Sequence, residues 1–524
     1  MWSSRGLARC DNGRMAPITF VLNGAPFETE PDASLLAVLR ERAGITSAKD
    51  GCSPQGQCGC CTVWVDGEPR VSCVTPVARV AGRAVTTLEG LDSSAREAWG
   101  EALCSTGGSQ CGFCSPGIIM RLEAMTDDDH ESFGKAMLAH TCRCTGWQTI
   151  EEAVAVRRTD GRDDARDLDD ATRRATIEGR APQIVGPRVA LGEGRFADDS
   201  APADSLVAVR ALDGTWHVAS DLANARRSAG LVQGRKSTVA VSWPLARIVG
   251  DWTRTLRTTW VEPAYVEPDA AWCAPGGEPQ GPLGNGGAFG GKQSNELRDV
   301  ARRLADEHGR PVRVLTARED VVRRGPKRPP MSLAIHPDGS GEVHAVRTSG
   351  LAEIVARVAP DWTLVEHDVP GPPTSVAIRA SVWAEIAVMR CSVVEPGQWG
   401  DAVTSPDGAR AWAVVDDHTV TVRLDAGRVL DEVVLRSYAI GAAHMALGWV
   451  RSEGLAVGDD GAPLDLTIRS FGVLRAVDTP RIDVHLVDSD REPVNGSDAV
   501  FAAVAAAAWR HGGFAPEWPM RTDR

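Results

Sequence analysis

The sequence predicts a multidomain α+β protein with three folded regions of different character. Residues 17–88 alternate short apolar runs with turns, residues 89–156 carry helical apolar spacing, and residues 186–524 mix strand-like and helical runs. A chain of 524 residues is long enough for several domains, and 43% hydrophobic residues are enough to bury their cores. We therefore expect two small amino-terminal domains followed by a mixed α/β module.

The first region has the element order of a small β-grasp domain. An Asn-Gly turn separates strand-like runs at 18–22 and 26–29, and the leucines near Val38 share one side of a helix expected at 34–43. A second hairpin, with an Asp-Gly turn, is expected within residues 61–74. The order strand, strand, helix, cysteine loop, strand, strand predicts the β-grasp arrangement.

The other regions are assigned by the same patterns. Helices are expected at 117–125 and 150–156, whereas residues 157–185 are charged and poor in aromatic residues, which predicts a solvated linker. Residues 1–16 are expected to be a disordered leader. Beyond the linker, the expected strands are 207–212, 312–316, 419–424 and 482–487, and the expected helices are 296–307 and 498–509.

Charge and hydropathy exclude several classes of function. The net charge is −13 and is not gathered in one acidic block, which argues against nucleic acid and anionic membranes as partners. The amino terminus lacks the apolar core of a signal peptide, and we see no apolar stretch long enough to be a membrane span. We expect a cytoplasmic protein that acts on a small molecule.

Cysteine placement is the main clue to chemistry. Ten of the 13 cysteines fall between residues 52 and 144, which suggests metal or redox chemistry rather than disulfides in a chain of this kind. Cys52, Cys58, Cys61 and Cys73 are spaced C-x5-C-x2-C-x11-C, one residue longer in the first gap than the plant-type [2Fe–2S] pattern. Zinc or buried thiols are the alternatives at this group, and Cys60 is taken as a bystander.

A second cysteine group follows in the helical region. Cys111 and Cys114 form a C-x2-C pair, and Cys142 and Cys144 form a C-x-C pair. On spacing alone, zinc competes with iron for these four thiols. Cys104 matches no ligand position, so we expect a buried structural thiol there.

The residues around the second group resemble one family closely. The segments 110–117 (QCGFCSPG) and 142–147 (CRCTGW) are similar to the helical [2Fe–2S] domain of molybdenum hydroxylases such as xanthine dehydrogenase, aldehyde oxidase and carbon monoxide dehydrogenase. The resemblance covers residues 17–156 and implies a ferredoxin-like domain and a four-helix domain, each with one [2Fe–2S] cluster. It further implies that Gln110 and Cys144 lie beside the pterin of a molybdenum–molybdopterin cofactor, and that electrons reach the helical cluster first.

Shorter segments beyond residue 186 resemble the molybdopterin-binding module of the same family. They are 192–199, Glu267-Pro268, the glycine-rich 286–292, 316–320, 441–448 and 470–475. The resemblance implies cofactor contacts by Glu267, Gly287, Phe289, Gly290 and Gly291, because glycines let backbone N–H groups approach an oxygen ligand. His444 is expected either to line this site or to be a satisfied core histidine.

Asp498 is the candidate catalytic base. The resemblance implies a carboxylate beside the molybdenum, and residues 495–498 (NGSD) match the family's motif with aspartate in place of glutamate. The alternative is that Asp498 only caps the helix expected from Ala499.

The module is shorter than in the family, and this keeps three classes of function open. No Arg-Gly-Phe-Gly-like loop follows residue 350, and no pattern supports Arg379 or Arg390 as its substitute. The leading hypothesis is a hydroxylase of aldehydes or N-heterocycles. The alternatives are an iron–sulfur electron-transfer protein with an inactive molybdenum module, and a zinc-stabilised interaction protein. Because no FAD domain is recognisable in this chain, we expect a separate FAD subunit or another electron acceptor, and we allow for a homodimer.

Overall fold

A five-stranded sheet forms the first domain of the computed structural model, which describes residues 16–127, 129–159, 166–230, 240–281, 286–292 and 296–520. Its strands are β1 (Ile18–Leu22), β2 (Ala25–Thr29), β3 (Thr62–Val65), β4 (Glu68–Val71) and β5 (Ala84–Thr86), in the order β2-β1-β5-β3-β4. Helix α1 (Leu35–Ala37) continues into a π-helical turn (Val38–Arg42) that buries Val38 and Leu39. Both expected hairpins and the expected helix are present. The expected leader, apart from residue 16, lies outside the described residues.

Four helices form the second domain, as expected. They are α2 (Ser93–Thr106), α3 (Ser115–Leu122), α4 (His130–Met137) and α5 (Gln148–Thr159). Asp92 and Asp129 accept hydrogen bonds from the first turns of α2 and α4, and Pro116 occupies the first turn of α3, where its missing N–H costs nothing.

The segment expected to be a solvated linker contains a packed helix, so that prediction is wrong for residues 168–179. Helix α6 (Leu168–Gly179) begins at the cap Asp167 and buries Ala171, Arg174, Ala175 and Glu178. Two of these buried residues are charged, which is why the composition resembled that of a solvated segment. They pair with each other, and their other partners, such as Val429 and Ser497, lie more than 250 positions further along the chain.

The module that follows holds three four-stranded sheets in the described residues. Their orders are β7-β6-β10-β9, β13-β12-β11-β8 and β14-β15-β16-β17. The strands are β6 (Leu206–Arg210), β7 (Trp216–Ala219), β8 (Arg254–Arg257), β9 (Ala270–Cys273), β10 (Val312–Leu315), β11 (Met331–Ile335), β12 (Gly341–Val346), β13 (Thr363–His367), β14 (Asp401–Thr404), β15 (Arg410–Val415), β16 (Thr419–Asp425) and β17 (Arg481–Val487). The helices are α7 (Pro187–Ala190), α8 (Ala197–Ser200), α9 (Leu222–Ser228), α10 (Glu296–His308), α11 (Arg318–Arg324), α12 (Leu351–Val358), α13 (Trp383–Cys391), α14 (Glu432–Arg451) and α15 (Ser497–His511). Every strand and helix expected in this region is found within two residues of its expected bounds.

Helices α14 and α15 form the centre of the largest core. They pack on each other, and α15 also packs on α13 and the last sheet, where its alanines allow close approach. Among the described helices, α14 alone is long and apolar enough to cross a membrane, but 89% of its apolar window is buried inside the protein. A core helix passes the same test, so this helix is weak evidence for a membrane span.

Candidate functional site

The four cysteines predicted for the first cluster lie together in the interior. Cys52 is within hydrogen-bonding reach of Cys58 and Cys73, and Cys73 is within reach of Cys61. All four side chains are at most 5% exposed. A group of four buried thiols is the donor set that a [2Fe–2S] cluster requires.

Backbone amides of the cysteine loop point at these sulfurs. The N–H groups of Gln55 and Gln57 donate to Cys52 Sγ at 3.2 and 3.4 Å, and the N–H of Cys73 donates to Cys61 Sγ at 3.4 Å. Hydrogen bonding to the neighbouring thiols, led by Cys58, lowers the pKa of Cys52 well below its usual value. Such donors stabilise negative charge on sulfur and are one means by which a protein sets a cluster potential.

The second group converges in the same way. Cys144 Sγ lies 3.5 Å from Cys111 Sγ, and Cys142 is within hydrogen-bonding reach of Cys114 and Cys144. All four are buried. In the described residues, no group of three or more His, Cys, Asp or Glu side chains is placed to hold a single metal ion. A [2Fe–2S] cluster spreads four thiolates over two iron atoms, so its ligands need not converge on one point.

The segments that carry the two thiol groups are in contact at one seam between the domains. Thr141 N donates to Cys58 O at 3.0 Å, and His140 Nε2 lies 3.2 Å from Thr62 Oγ1. Cys60, which is fully buried, packs against Gly117 at the start of α3. The segment before Cys142 is therefore in direct contact with the loop that holds Cys58.

Gln110, a predicted pterin contact, is buried beside the second group. Its Nε2 donates to Cys144 O and to Ser437 Oγ, both at 3.0 Å, while its Oε1 is buried without a hydrogen-bond partner. Ser437 belongs to α14, and a Cβ added to Gly441 one turn later would lie 1.8 Å from Cys144 O. Helix α14 therefore lies directly against the C-x-C pair.

The glycine-rich loop also touches the second group directly. A Cβ added to Gly287, which has a φ of +88°, would lie 3.3 Å from Cys144 Sγ. A Cβ at Gly290 would collide with Ala377 O at 1.9 Å, and one at Gly291 would lie 2.9 Å from Pro263. The glycines serve close packing of this loop on its protein neighbours.

Phe289 and Glu267, the other predicted cofactor contacts, have protein partners as well. The Arg379 guanidinium stacks over the Phe289 ring at 3.7 Å, and Tyr438 meets the ring edge-on at 6.1 Å. Glu267 Oε2 lies 2.5 Å from Lys292 Nζ, and both side chains are buried. Burial raises the pKa of Glu267, although Lys292 opposes the shift.

Asp498 is buried and paired with two arginines. Its carboxylate contacts Arg180, and Oδ1 lies 3.3 Å from Arg379 Nε. The helix begins at Ser497 rather than Ala499, and Glu178 of α6 accepts hydrogen bonds from the N–H groups of Gly496 and Ser497. The capping alternative for Asp498 is therefore wrong, because Asp498 lies inside the first turn and its side chain caps no N–H.

His444 is a buried core histidine in α14. Its Nε2 lies 3.1 Å from Leu474 O, its side chain is fully buried, and burial lowers its pKa to about 4. Its Nδ1 is buried without a hydrogen-bond partner, so His444 is a core histidine that is satisfied through Nε2 only.

The positions of these residues can be compared with the cofactors that the family resemblance implies. The two thiol groups fit [2Fe–2S] clusters by donor type, number and burial. A molybdenum–pterin group would have to share this region with contacts that are already present, because Gly287 and Gly441 lie against Cys144 and Arg379 joins Phe289 to Asp498. Gln110 Oε1 and Arg379 Nε are both buried in this region without a hydrogen-bond partner.

Sequence reasoning missed the residues that fill this region. Glu178 and Arg180 were assigned to the linker, and Arg379 had no supporting pattern. Only Asp167 could have indicated helix α6 from the sequence. An aspartate followed by acidic residues in the next turn is typical of the start of a helix.

Comparison with known proteins indicates a [2Fe–2S] protein. A family model described as a [2Fe-2S] binding domain matches residues 87–155. Over 131 residues the chain is 37% identical to the nicotinate dehydrogenase small FeS subunit of Eubacterium barkeri, a match covering 24% of this chain and 83% of that protein. It is also 37% identical over 146 residues to the xanthine dehydrogenase iron-sulfur-binding subunit of Escherichia coli O157:H7, covering 26% of this chain and 91% of that protein.

The fold of the whole chain has a solved counterpart. The aldehyde oxidoreductase from Desulfovibrio desulfuricans superposes with a TM-score of 0.67 at 14% identity, covering 94% of this chain and 97% of that one. At this identity the likeness shows a common fold and nothing further, whereas the small iron–sulfur subunits are matched at 37% identity over most of their length. The chain belongs to the xanthine dehydrogenase and aldehyde oxidase family of molybdenum hydroxylases, and it is an oxidoreductase of that type.

Proposed function

We propose that this chain transfers electrons one at a time through two [2Fe–2S] sites, as part of an oxidation of the molybdenum-hydroxylase type. The observation that carries the proposal is the pair of buried four-thiol groups. Cys52, Cys58, Cys61 and Cys73 would hold one cluster, and Cys111, Cys114, Cys142 and Cys144 the other. A [2Fe–2S] cluster supplies one-electron redox chemistry when bound.

The chain's own residues provide the environment for this chemistry. Burial excludes water from both thiol groups, and the amides of Gln55, Gln57 and Cys73 place donors on the sulfurs of the first. The hydrogen bond from Thr141 N to Cys58 O joins the two groups across the seam. These contacts support a short path between the two sites.

We propose an aldehyde or an electron-poor N-heterocycle as the source of the electrons. Support comes from relatives whose names specify nicotinate, xanthine and aldehyde as substrates. In the arrangement described, Asp498 is held by Arg180 and Arg379, so it could act as a base only after Arg379 leaves it. We assign no step to the molybdenum–pterin group.

The second candidate is an electron-transfer protein whose module carries out no oxidation of its own. One observation favours it: the glycine-rich loop is packed directly on Cys144, where the family resemblance implies the pterin. Electrons would then reach the clusters from another protein.

Metal analysis and spectroscopy of the full chain test the proposal. We expect about four iron atoms per chain and two distinct paramagnetic species after full reduction. Colourless protein, or a single iron–sulfur species, would refute the two-cluster function. About one molybdenum per chain, with bleaching of the iron–sulfur colour by an aldehyde or nicotinate, would support the hydroxylase; iron without molybdenum would support the second candidate.

Asp498→Ala separates the two roles open to this residue. If Asp498 is the base, the variant keeps its metals and loses turnover. If its role is to neutralise Arg180 and Arg379, the variant unfolds at lower temperature, because two buried or half-buried guanidiniums lose their partner.

We also propose a separate protein or small molecule as the electron acceptor. The matched relatives are named as subunits, and this supports a partner that carries out the remaining redox step. A flavin-binding subunit is the partner we would test first.

A further inference from the structure

Two histidines on neighbouring strands of the module lie side by side. Strand β13 is at one end of the sheet β13-β12-β11-β8 and pairs in parallel with β12, where His344 is opposite Val365. His367 is two residues further along β13 and therefore lies on the same face of the sheet. The two imidazole rings have centroids 5.0 Å apart and planes tilted by 39°, and both side chains are half-buried.

The distance between the two ring nitrogens suits a shared metal ion. His344 Nδ1 lies 3.1 Å from His367 Nε2. Two nitrogens that bind one zinc ion are about 2.9 Å apart at a right angle and about 3.3 Å apart at the tetrahedral angle, because each Zn–N bond is about 2.05 Å long. The observed separation falls between these values, so both rings can bind one ion without movement of the strands.

Glu342 fixes the tautomer of His344. Its Oε1 lies 2.6 Å from His344 Nε2. Since a carboxylate only accepts, His344 Nε2 carries the proton, and Nδ1 presents a lone pair toward His367. A carboxylate behind the second ring nitrogen is the usual support of a metal-binding histidine.

His367 can present a lone pair at the same point. Without a metal ion, its Nε2–H donates to His344 Nδ1. Transfer of that proton to Nδ1 of the same ring gives the other neutral tautomer, which leaves Nε2 free to bind a metal ion. Binding therefore changes the tautomer of one ring and requires no change in the charge of either.

The residues around the pair carry net negative charge. Residues 341–347 and 363–368 contain the carboxylates Glu342, Glu366 and Asp368 and the single guanidinium of Arg347. Arg347 pairs with Asp368 at 2.7 Å and with Glu366 at 3.3 Å, so its charge is balanced within the group. The excess of carboxylates favours a bound cation.

We propose that His344 and His367 bind one divalent late transition-metal ion, such as Zn²⁺, Ni²⁺ or Cu²⁺, with Glu342 as a positioning residue. Imidazole nitrogen suits these ions. The protein supplies two ligands and water supplies the others, so the site needs no third side chain. The bound ion joins β13 to β12. This site is separate from both thiol groups and goes beyond the proposed function, on which it does not depend.

Calorimetric titration of the full chain with Zn²⁺ tests binding. We expect a saturable site for about one ion per chain that His344→Gln and His367→Gln each remove or weaken by at least about tenfold, and that Glu342→Gln weakens by about tenfold. His308→Gln is the matched control, because His308 is an exposed histidine at the end of α10 and its loss should change nothing. Zinc bound by the cysteines would be unaffected by all four substitutions, so the comparison does not depend on the clusters.

Paramagnetic resonance of Cu²⁺, added at less than one ion per chain, tests the ligands directly. We expect hyperfine splitting from two nitrogens in the unaltered chain and from one nitrogen in His367→Gln. The order of affinity should be Cu²⁺ above Ni²⁺, with Zn²⁺ below Cu²⁺. Zinc binding that is absent or unsaturable, equal binding by His344→Gln and His308→Gln, or a copper spectrum that His367→Gln leaves unchanged would each overturn the inference. Iron content, measured on the same samples, reports separately on the proposed function.

Discussion

Removal of the Glu178 carboxylate should destabilise the module far more than removal of a surface carboxylate from an equivalent helical pair. Glu178 and Arg174 lie four residues apart on α6, are 3.1 Å apart and are both fully buried. The same carboxylate accepts the N–H groups of Gly496 and Ser497 at 3.0 and 2.8 Å. Glu178→Ala therefore removes the counter-charge of Arg174 and leaves two buried N–H groups of α15 without acceptors.

The size of the effect follows from burial. Removing one partner of a buried ion pair costs about 3–5 kcal/mol, because the remaining charge is left in a medium that solvates it poorly. Arg174 also donates to four backbone carbonyls, which keep its N–H groups satisfied but do not neutralise its charge. We expect a loss of about 3–5 kcal/mol for Glu178→Ala. Glu178→Gln should lose only slightly less, because it also removes the counter-charge of Arg174 and its amide oxygen replaces one of the two acceptors.

Arg303 and Glu307 supply the control, because they form the same four-residue pair on α10 with side chains 57% and 59% exposed. Glu307→Ala should cost at most about 0.5 kcal/mol. The assay is denaturant unfolding followed by tryptophan fluorescence, with iron–sulfur absorbance as a second probe. In thermal scans at one fixed rate, the Glu178→Ala midpoint should fall by about 10 °C. If the unfolding midpoint of Glu178→Ala matched that of Glu307→Ala, α6 would not be a packed part of the module.

Other substitutions test the remaining contacts. Cys114→Ser should lower the iron content from about four to about two atoms per chain and remove one paramagnetic species, while Cys104→Ser should keep both; unchanged iron in Cys114→Ser would show that the ligand assignment is wrong. Gly441→Ala should lower the unfolding midpoint, because its Cβ would lie 1.8 Å from Cys144 O, whereas Gly397→Ala, which has open space, should not; equal midpoints would contradict the packing of α14 on the C-x-C pair. Burial lowers the pKa of His444 from 6.5 to about 4, so the unfolded chain binds a proton that the folded chain does not, and the free energy of unfolding should fall by about 3 kcal/mol as the pH drops from 6.5 to 4. His444→Gln should show a smaller slope against pH over that window, and an unchanged slope would exclude His444 as its cause.

Features encoded locally were predictable from the sequence. Cysteine spacing indicated the first thiol group, because its four cysteines lie in one loop and the hairpin that follows it. The second group joins two cysteine pairs on either side of α3 and α4, and the family resemblance was needed to assign them to one cluster. The alternation of residues 18–29 and the Asn-Gly turn were sufficient to predict the first hairpin, since turn chemistry and a two-residue period act within a few positions. The amphipathic spacing of α10 predicted that helix for the same reason.

Features that depend on distant partners were not predictable. Helix α6 buries an arginine and a glutamate, and a composition rule assigns such residues to solvent. The acceptor and donor groups that make their burial stable lie more than 250 positions away, at Val429 and Ser497. The stacking of Arg379 on Phe289 and its approach to Asp498 likewise join segments that only the folded chain brings together.

The two arginines that contact Asp498 bear on whether this chain can act as a hydroxylase. Arg379 contacts Asp498, stacks on Phe289 and donates through Nη2 to Ser497 Oγ at 3.1 Å, so one side chain joins the candidate base to the glycine-rich loop. Any reacting group would have to reach the Asp498 carboxylate past the two guanidiniums that contact it. Any arrangement that frees Asp498 must therefore move Arg379, and the same movement would remove the support of Phe289 and loosen the loop from Cys144. Because Arg379 contacts both Asp498 and Phe289, it is the residue to substitute when the two candidate functions are compared.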